Sequence, residues 1–170
     1  MRALPWGFGG DAPLMRHRWI ILGLAVVVFG LDRVVQLIVT AHMTLGQSIA
    51  VWPPLLWITY ITNSGAAFSL FQHGTFVFVA VGLLILAGLA WYVVRSPRLN
   101  AIFSVGAGLM AGGTAGNLWD RMVAGRVVDY VHFRDFAIFN VADAGIVAGI
   151  ILIIIDFWRK DHEFYGSQKG

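Results

Sequence analysis

Between Arg33 and Arg95 the chain carries no Asp, Glu, Lys or Arg. Water-soluble folds rarely run so far without a charge. A soluble domain carries about 25% charged residues, whereas this chain of 170 residues carries 12%, against 58% hydrophobic. Those two figures put a membrane protein ahead of every soluble class. The absence of Cys excludes disulfides and thiolate chemistry. The net charge of +3 comes mostly from the ends and short loops. With no basic cluster on a soluble segment, nucleic acid is a poor candidate for a partner.

A bilayer core takes about 20 mostly apolar residues in a helix. Four segments meet that requirement, at about Trp19–Val39, Thr75–Val94, Leu99–Leu118 and Ala142–Trp158. No small-residue cleavage site follows the first, which sets it apart from a removable signal peptide. The spans define one membrane domain over residues 16–160, between a disordered tail at 1–15 and a polar tail at 161–170. Lys and Arg fix the orientation. Arg16 and Arg18 precede the first span, Arg95 and Arg98 form the "RSPR" turn, and Arg159 and Lys160 follow the fourth. These groups belong in the cytoplasm together with both termini. The loop from Thr40 to Gly74 has no Lys or Arg and faces outward. Within it, "VWPPLLWITYIT" reads as short strands at the interface, with Trp52, Trp57 and Tyr60 as an aromatic belt. The loop from Trp119 to Val141 also faces outward by parity, yet holds Arg121, Arg126 and Arg134. Gly106, Gly108, Gly112, Gly113 and Gly116 in the third span read mainly as packing positions.

Ionisable groups at membrane depth cost about 2.5–3.5 kcal/mol each and call for a reason. Asp156, near the cytoplasmic end of the fourth span, can pair with Arg159 or Lys160. Asp143, in "FNVADAG", opens that span; one reading makes Asn140 its N-cap and Asp143 the acidic half of a capping box. Asp129, in "GRVVDYVHF", reads by itself as a loop acid paired with Arg126 or Arg134. Together the two acids lie on one side at similar depth, joined by the short aromatic "YVHFRDFAIFN". Carboxylates brought close cannot both ionise easily. They share a proton, one acting as base towards water and the other as acid towards a carbonyl. Asn117 and Arg121 fall on one helix face, four apart, with Asp120 beside them. Asn63 opens "TNSGAAFS", which reads either as a turn with close packing or as a peptide-facing Asn beside a small-residue wall. His42, His73 and His132 are scattered without metal-ligand spacing, so no metal and no cofactor are expected.

The Asp of "GLDRVVQ", then "TNSGAAFSLF", "GGTAGNLWDRMVAGRVVDY" and "FNVADAGI" together resemble lipoprotein signal peptidase, the bacterial aspartyl membrane protease also called signal peptidase II. The likeness covers about Trp19 to Trp158. It implies an all-α membrane fold of four transmembrane helices, with a small extracytoplasmic β-cradle and a mobile loop before the last helix. It implies that Asp129 and Asp143 are the catalytic pair. Asn63, Gly113, Asn117, Arg121 and Asn140 would hold the substrate and support the pair, and Asp32 and Asp120 would give structural support. The substrate implied is a diacylglyceryl-modified prolipoprotein, cut just before its lipidated Cys in the bacterial inner membrane, near the outer face. Membrane lipid and the cyclic peptide inhibitor globomycin are the other partners implied.

Two positions depart from the family's pattern. Gln36 stands where a Lys is common, so support from that Lys must come from elsewhere, with Arg33 the nearest source. Ser64 replaces Thr and keeps the hydroxyl. The main rival reading is a small transporter or channel subunit that relays protons through Asp residues, which would place acids midway through several spans. A non-catalytic assembly subunit and a serine enzyme built on Ser64 and His73 are weaker, the latter for want of an orienting acid.

Overall fold

A computed structural model describes residues 12–65 and 75–167 of the chain. Residues 1–11, the small-residue run from Ala66 onward, His73 and the last three residues lie outside the described part. Four helices carry the fold: α1 at Ala12–His42, α2 at Thr75–Arg95, α3 at Ala101–Ala124 and α4 at Val141–Ser167. Three strands, β1 at Ser48–Trp52, β2 at Leu56–Asn63 and β3 at Val127–Phe133, form one antiparallel sheet in the order β1-β2-β3. By length and composition α1, α2 and α4 are each apolar enough to cross a membrane.

The third helix is expected from the sequence to span like the others, yet α3 does not reach that level of apolarity among the described residues. The reason is its place in the fold. It packs against α1, α2 and α4, and Gly106, Ala107, Gly112, Asn117 and Asp120 are among its buried residues. A helix enclosed by protein meets little lipid, so it can hold Gly and polar side chains. It also runs on to Ala124, past the expected end at Leu118, and carries Asp120 and Arg121 as helical residues. Gly125 stops it. With φ 71° this residue is left-handed, and its N–H reaches the Arg121 carbonyl at 3.1 Å. The chain then turns back as β3.

At the opposite end of α3, Asn100 caps the helix by accepting the Phe103 N–H at 2.9 Å. Its amide nitrogen donates to Asp156 of α4, whose other oxygen accepts from Lys160 at 2.6 Å. The expected pairing of Asp156 is therefore met by Lys160, with Asn100 as a second partner.

Glycine sets how closely the helices approach. A Cβ on Gly106 would lie 2.8 Å from the Gly149 carbonyl, and one on Gly149 would lie 2.5 Å from the Gly106 carbonyl. Gly112 does the same against α1, where a Cβ would meet the Ala25 carbonyl at 2.6 Å. Gly113, which the resemblance assigns to substrate or support, abuts the backbone of α4, with a virtual Cβ 2.2 Å from the Ala142 carbonyl. Tight backbone contact of this kind is how helices associate where no hydrophobic drive separates protein from lipid. Among the described residues α2 packs mainly on α3 and makes little contact with α4.

The sheet covers one end of the bundle. Pairing of β1 with β2 matches the short strands expected between Gln47 and Thr62. β3 falls where the sequence reading places only a loop. Its partners in β2 run from Leu56 opposite Phe133 to Asn63 opposite Val127, with a bulge between Ile58 and Ile61 that leaves Ile61 opposite Asp129. A further bridge joins Val131 to Phe139, so the segment returning to α4 folds back along β3.

Gly149→Ala is expected to destabilise the protein by about 1–3 kcal/mol, because the added methyl overpacks against α3. Gly88→Ala, at a position with no atom within 4 Å of its virtual Cβ, should be neutral or slightly stabilising. Thermal unfolding of both variants in the same detergent makes the comparison; equal melting points would contradict the packing account.

Candidate active site

The first turn of a helix leaves its amide N–H groups without internal partners. In α4 each is met. Val141 N–H donates to the Tyr130 hydroxyl oxygen at 3.1 Å, and Ala142 N–H to Asp32 Oδ1 at 3.2 Å. Asp143 N–H donates to Asn140 Oδ1 at 2.8 Å, and Ala144 N–H to the Asn140 carbonyl at 3.2 Å. Asn140 N–H in turn reaches Asp143 Oδ2 at 3.3 Å. This is the reciprocal capping box that "FNVAD" predicts. Asp143, one of the two acids singled out in the sequence, thus also serves as half of a helix cap.

Asp32 is fully buried, and its partners explain how a carboxylate survives there. Arg33 Nη2 donates to it at 2.6 Å, and Arg33 Nη1 donates to Asp120. Gln36 Nε2 lies between the same two acids, at 3.1 Å from Asp32 and 2.8 Å from Asp120. One guanidinium and one amide therefore join α1 to α3, and Asp32 carries the connection on to α4. Arg33 bridges both carboxylates, and Gln36 adds a neutral donor to each. Removing one member of such a buried ionic group typically costs about 3–5 kcal/mol.

Asp129 and Asp143 line one cavity of about 680 Å³. Asp129 accepts from Asn63 Nδ2 and Asn140 Nδ2, each at 3.1 Å. Asp143 Oδ1 accepts from Asn117 Nδ2 at 2.6 Å. Asn140, itself fully buried, also donates to Asn117 Oδ1 at 3.1 Å, so one amide links the surroundings of both acids. Neither Asp pairs with Arg126 or Arg134; Arg134 faces Asp135 instead, at 3.5 Å on the exposed loop. Among the described residues no group of three or more His, Cys, Asp or Glu is arranged to hold a metal ion.

Arg121 lines the cavity. Its guanidinium donates to the Asn117 carbonyl and to the Gly65 carbonyl, each at 3.2 Å, and lies 5.0 Å from the centre of the Phe78 ring. Asn63 lines the cavity as well. Asn117 is not among the lining residues; it is buried, and its amide donates to Asp143. Gly113 and Asp120 also stay outside the cavity, in the helix packing and the ion cluster. The remaining wall is largely apolar: Phe78 from α2, Phe136 and Phe139 from the returning segment, and Ala144, Val147 and Ile151 from α4. Val147 and Ile151 are exposed beyond the cavity, so its wall runs on to the outer surface of the bundle. Phe78 and Tyr130 are functional neighbours that the sequence reading does not single out. The alternation in "VVDYVHF", apolar or aromatic around Asp129, is the signal that marks the strand carrying one of them.

Burial pushes the Asp129 carboxyl up to about 7, and the charge of Asp143 adds to the rise; the Asn63 hydrogen bond and Arg121 oppose it. A carboxyl raised on folding holds its proton longer in the folded state than in the unfolded state. Its contribution to stability is then fullest below the unfolded value of 3.8 and is lost as pH rises through about 7.

Comparison with known proteins gives consistent matches. The family model described as signal peptidase (SPase) II matches residues 24–159. A lipoprotein signal peptidase of Desulfitobacterium hafniense is 36% identical over 146 residues, covering 85% of this chain and 95% of that protein. One from Gloeobacter violaceus is 37% identical over 148 residues, covering 86% and 85%. A solved bacterial membrane enzyme, determined by the in meso method at 2.3 Å resolution, superposes with a TM-score of 0.80 at 32% identity, covering 84% of this chain and 90% of that one.

The melting temperature of the wild-type protein is expected to fall between pH 5 and pH 8, with a shallower slope in Asp129→Asn. Thermal unfolding across that range reads both. Parallel slopes would mean that Asp129 does not titrate there.

Proposed function

The chain belongs to the signal peptidase II family of membrane proteases, and on that premise we propose that it works as an aspartic endopeptidase through Asp129 and Asp143. Its activity is removal of the signal peptide from prolipoproteins. The cut falls just before a diacylglyceryl-modified Cys. What supports the pair is its setting: two carboxyls on one cavity wall, held by Asn63, Asn117 and Asn140, with Asp129 raised into the range where a shared proton is available at neutral pH.

The chemistry follows from that shared proton. The ionised carboxyl of the pair takes a proton from water as the oxygen attacks the scissile carbonyl carbon, and the protonated carboxyl donates to the carbonyl oxygen. The tetrahedral intermediate collapses, its C–N bond breaking, when the first carboxyl gives its proton to the leaving nitrogen and the second takes back the proton from the intermediate's hydroxyl. A new carboxylate terminus and a free amine result, and the pair regains its starting state. Asn63 and Arg121 hold the peptide at the cavity wall, while Asn117 and Asn140 orient the acids. Asp32 and Asp120 fix the helices that carry them. The pair titrates as a unit.

All four helices cross the membrane, with α3 shielded by the other three. Both termini lie in the cytoplasm, following the Lys and Arg distribution, and the active site sits near the outer face of the bacterial inner membrane. The sheet lies as a cradle beside the site, and the segment from Arg134 to Phe139 acts as its mobile cover. The apolar wall that continues over Val147 and Ile151 takes acyl chains of the substrate or of membrane lipid, and a globomycin-type cyclic peptide occupies the same cavity. A proton-relay transporter, the rival reading, is not favoured by the family match.

Asp129→Asn and Asp143→Asn should each lower kcat on a diacylglyceryl-modified prolipoprotein peptide by about 10²–10⁴-fold. Mass spectrometry of the products in detergent measures it. Full activity in either correctly folded variant would sink the pair. Equal cleavage of an unlipidated peptide would sink the substrate class, and an unaffected rate with globomycin present would sink the inhibitor site.

A further inference from the structure

Asp129 and Tyr130 are neighbours on β3, and strand alternation sends them to opposite faces. Asp129 lines the cavity; Tyr130, 2% exposed, is turned into the protein. Its hydroxyl oxygen accepts the Val141 N–H at 3.1 Å, the first free amide of α4. Its backbone is also tied to the approach to that helix: Tyr130 N–H donates to the Phe139 carbonyl at 3.1 Å, and Phe139 N–H donates to the Val131 carbonyl at 3.0 Å. One residue therefore joins the strand bearing Asp129 to the helix turn bearing Asp143. The acids' other direct links are the amides of Asn63, Asn117 and Asn140; Asn140 also donates to the Val128 carbonyl at 3.3 Å and so is a second tie between β3 and the start of α4, while the Tyr130 hydroxyl holds the helix turn without touching either carboxyl.

We propose that Tyr130 is a positioning residue for the hydrolysis, its hydroxyl fixing the depth and rotation of the first turn of α4 against β3 and thereby the separation of the two carboxyls. The inference rests on the reading of Asp129 and Asp143 as the catalytic pair. Sharing of one proton between two carboxyls depends steeply on their distance, and a reacting geometry displaced by about 1 Å can lose 10²-fold in rate. A phenyl ring would fill the same space as the phenol but leave the Val141 N–H without its partner. The charged groups acting on the phenol are Asp32, Arg33 and Asp143. Burial keeps it neutral across the working range.

The experiment compares wild-type, Tyr130→Phe, Val141→Pro and the double variant as full-length protein in detergent, with a diacylglyceryl-modified prolipoprotein peptide. Proline at the first helical position lacks the N–H but suits the backbone there, so it deletes the same hydrogen bond from the other side. Each single variant should lower kcat by about 5- to 30-fold with KM changed less than about twofold. Its pH–rate profile should narrow, the alkaline limb moving to lower pH, because carboxyls that move apart repel less and the upper apparent pKa falls. The double variant should lose no more than either single one. A lowered melting point with kcat and pH profile unchanged overturns the inference, as do additive losses in the double variant. If Tyr130→Phe does not fold, Val141→Pro alone decides by the same kcat and profile. Asp129→Asn and Asp143→Asn run alongside: activity in those variants removes the catalytic pair and the inference with it, whereas inactive Asp variants beside an unaltered Tyr130→Phe remove the inference alone.

Discussion

The amide groups that open α4 have no partners within the helix and are satisfied by other groups of the protein. Each is bound by a group from a different place: Tyr130 of β3, Asp32 of α1, and the side chain and carbonyl of Asn140. That need gives the bundle much of its order. To bring a carboxylate to Ala142, α1 buries Asp32, and to tolerate Asp32 it supplies Arg33 and Gln36. Those two residues also bind Asp120 and so fix α3. The helix start that results presents Asp143 at the cavity wall. Capping, ion pairing and the placement of an acid are three aspects of one arrangement.

The two cavity acids are handled differently from the two buried in the ion cluster. Asp32 and Asp120 are both bound by the Arg33 guanidinium. Among the described residues Asp129 is hydrogen-bonded by the neutral amides of Asn63 and Asn140, and the guanidinium of Arg121 acts on it at longer range. It is therefore left close to its own titration at neutral pH. What stands next to them thus separates two carboxyls bound by a guanidinium, Asp32 and Asp120, from two cavity carboxyls bound by amides, Asp129 and Asp143. A folded state that keeps an acid raised gives up stability for a usable proton.

Much of this was legible in the sequence. The charge-free run and the apolar segments located the helices, and α2 agrees to within one residue at each end. The capping box was readable from Asn140 and Asp143 alone, because it is local. Three things were not. α3 outruns its apolar core because neighbouring helices, not lipid, set how far it can continue. β3 was hidden by the charges around it, which read as a loop until the pairing with β2 is known. Asn117 binds Asp143 from outside the cavity lining, a matter of rotation about a helix axis that four-residue spacing leaves open. The Asn-rich support of the acids joins residues far apart in the chain, and no spacing rule reaches across them.

Among the described residues α2 and α4 border one cavity with little contact between them, and that has a kinetic consequence. Phe78 on one helix and Ile151 on the other border the same cavity, and α2 is braced mainly by α3. A molecule held by acyl chains can reach such a site by sliding sideways within one leaflet. Its effective concentration is then its mole fraction among lipids and not its molarity in water. Diluting a vesicle suspension with buffer would leave turnover per enzyme unchanged, and diluting the bilayer with inert lipid would slow it. A cavity bordered by two helices that barely touch thus bears on whether an encounter takes place in two dimensions or three.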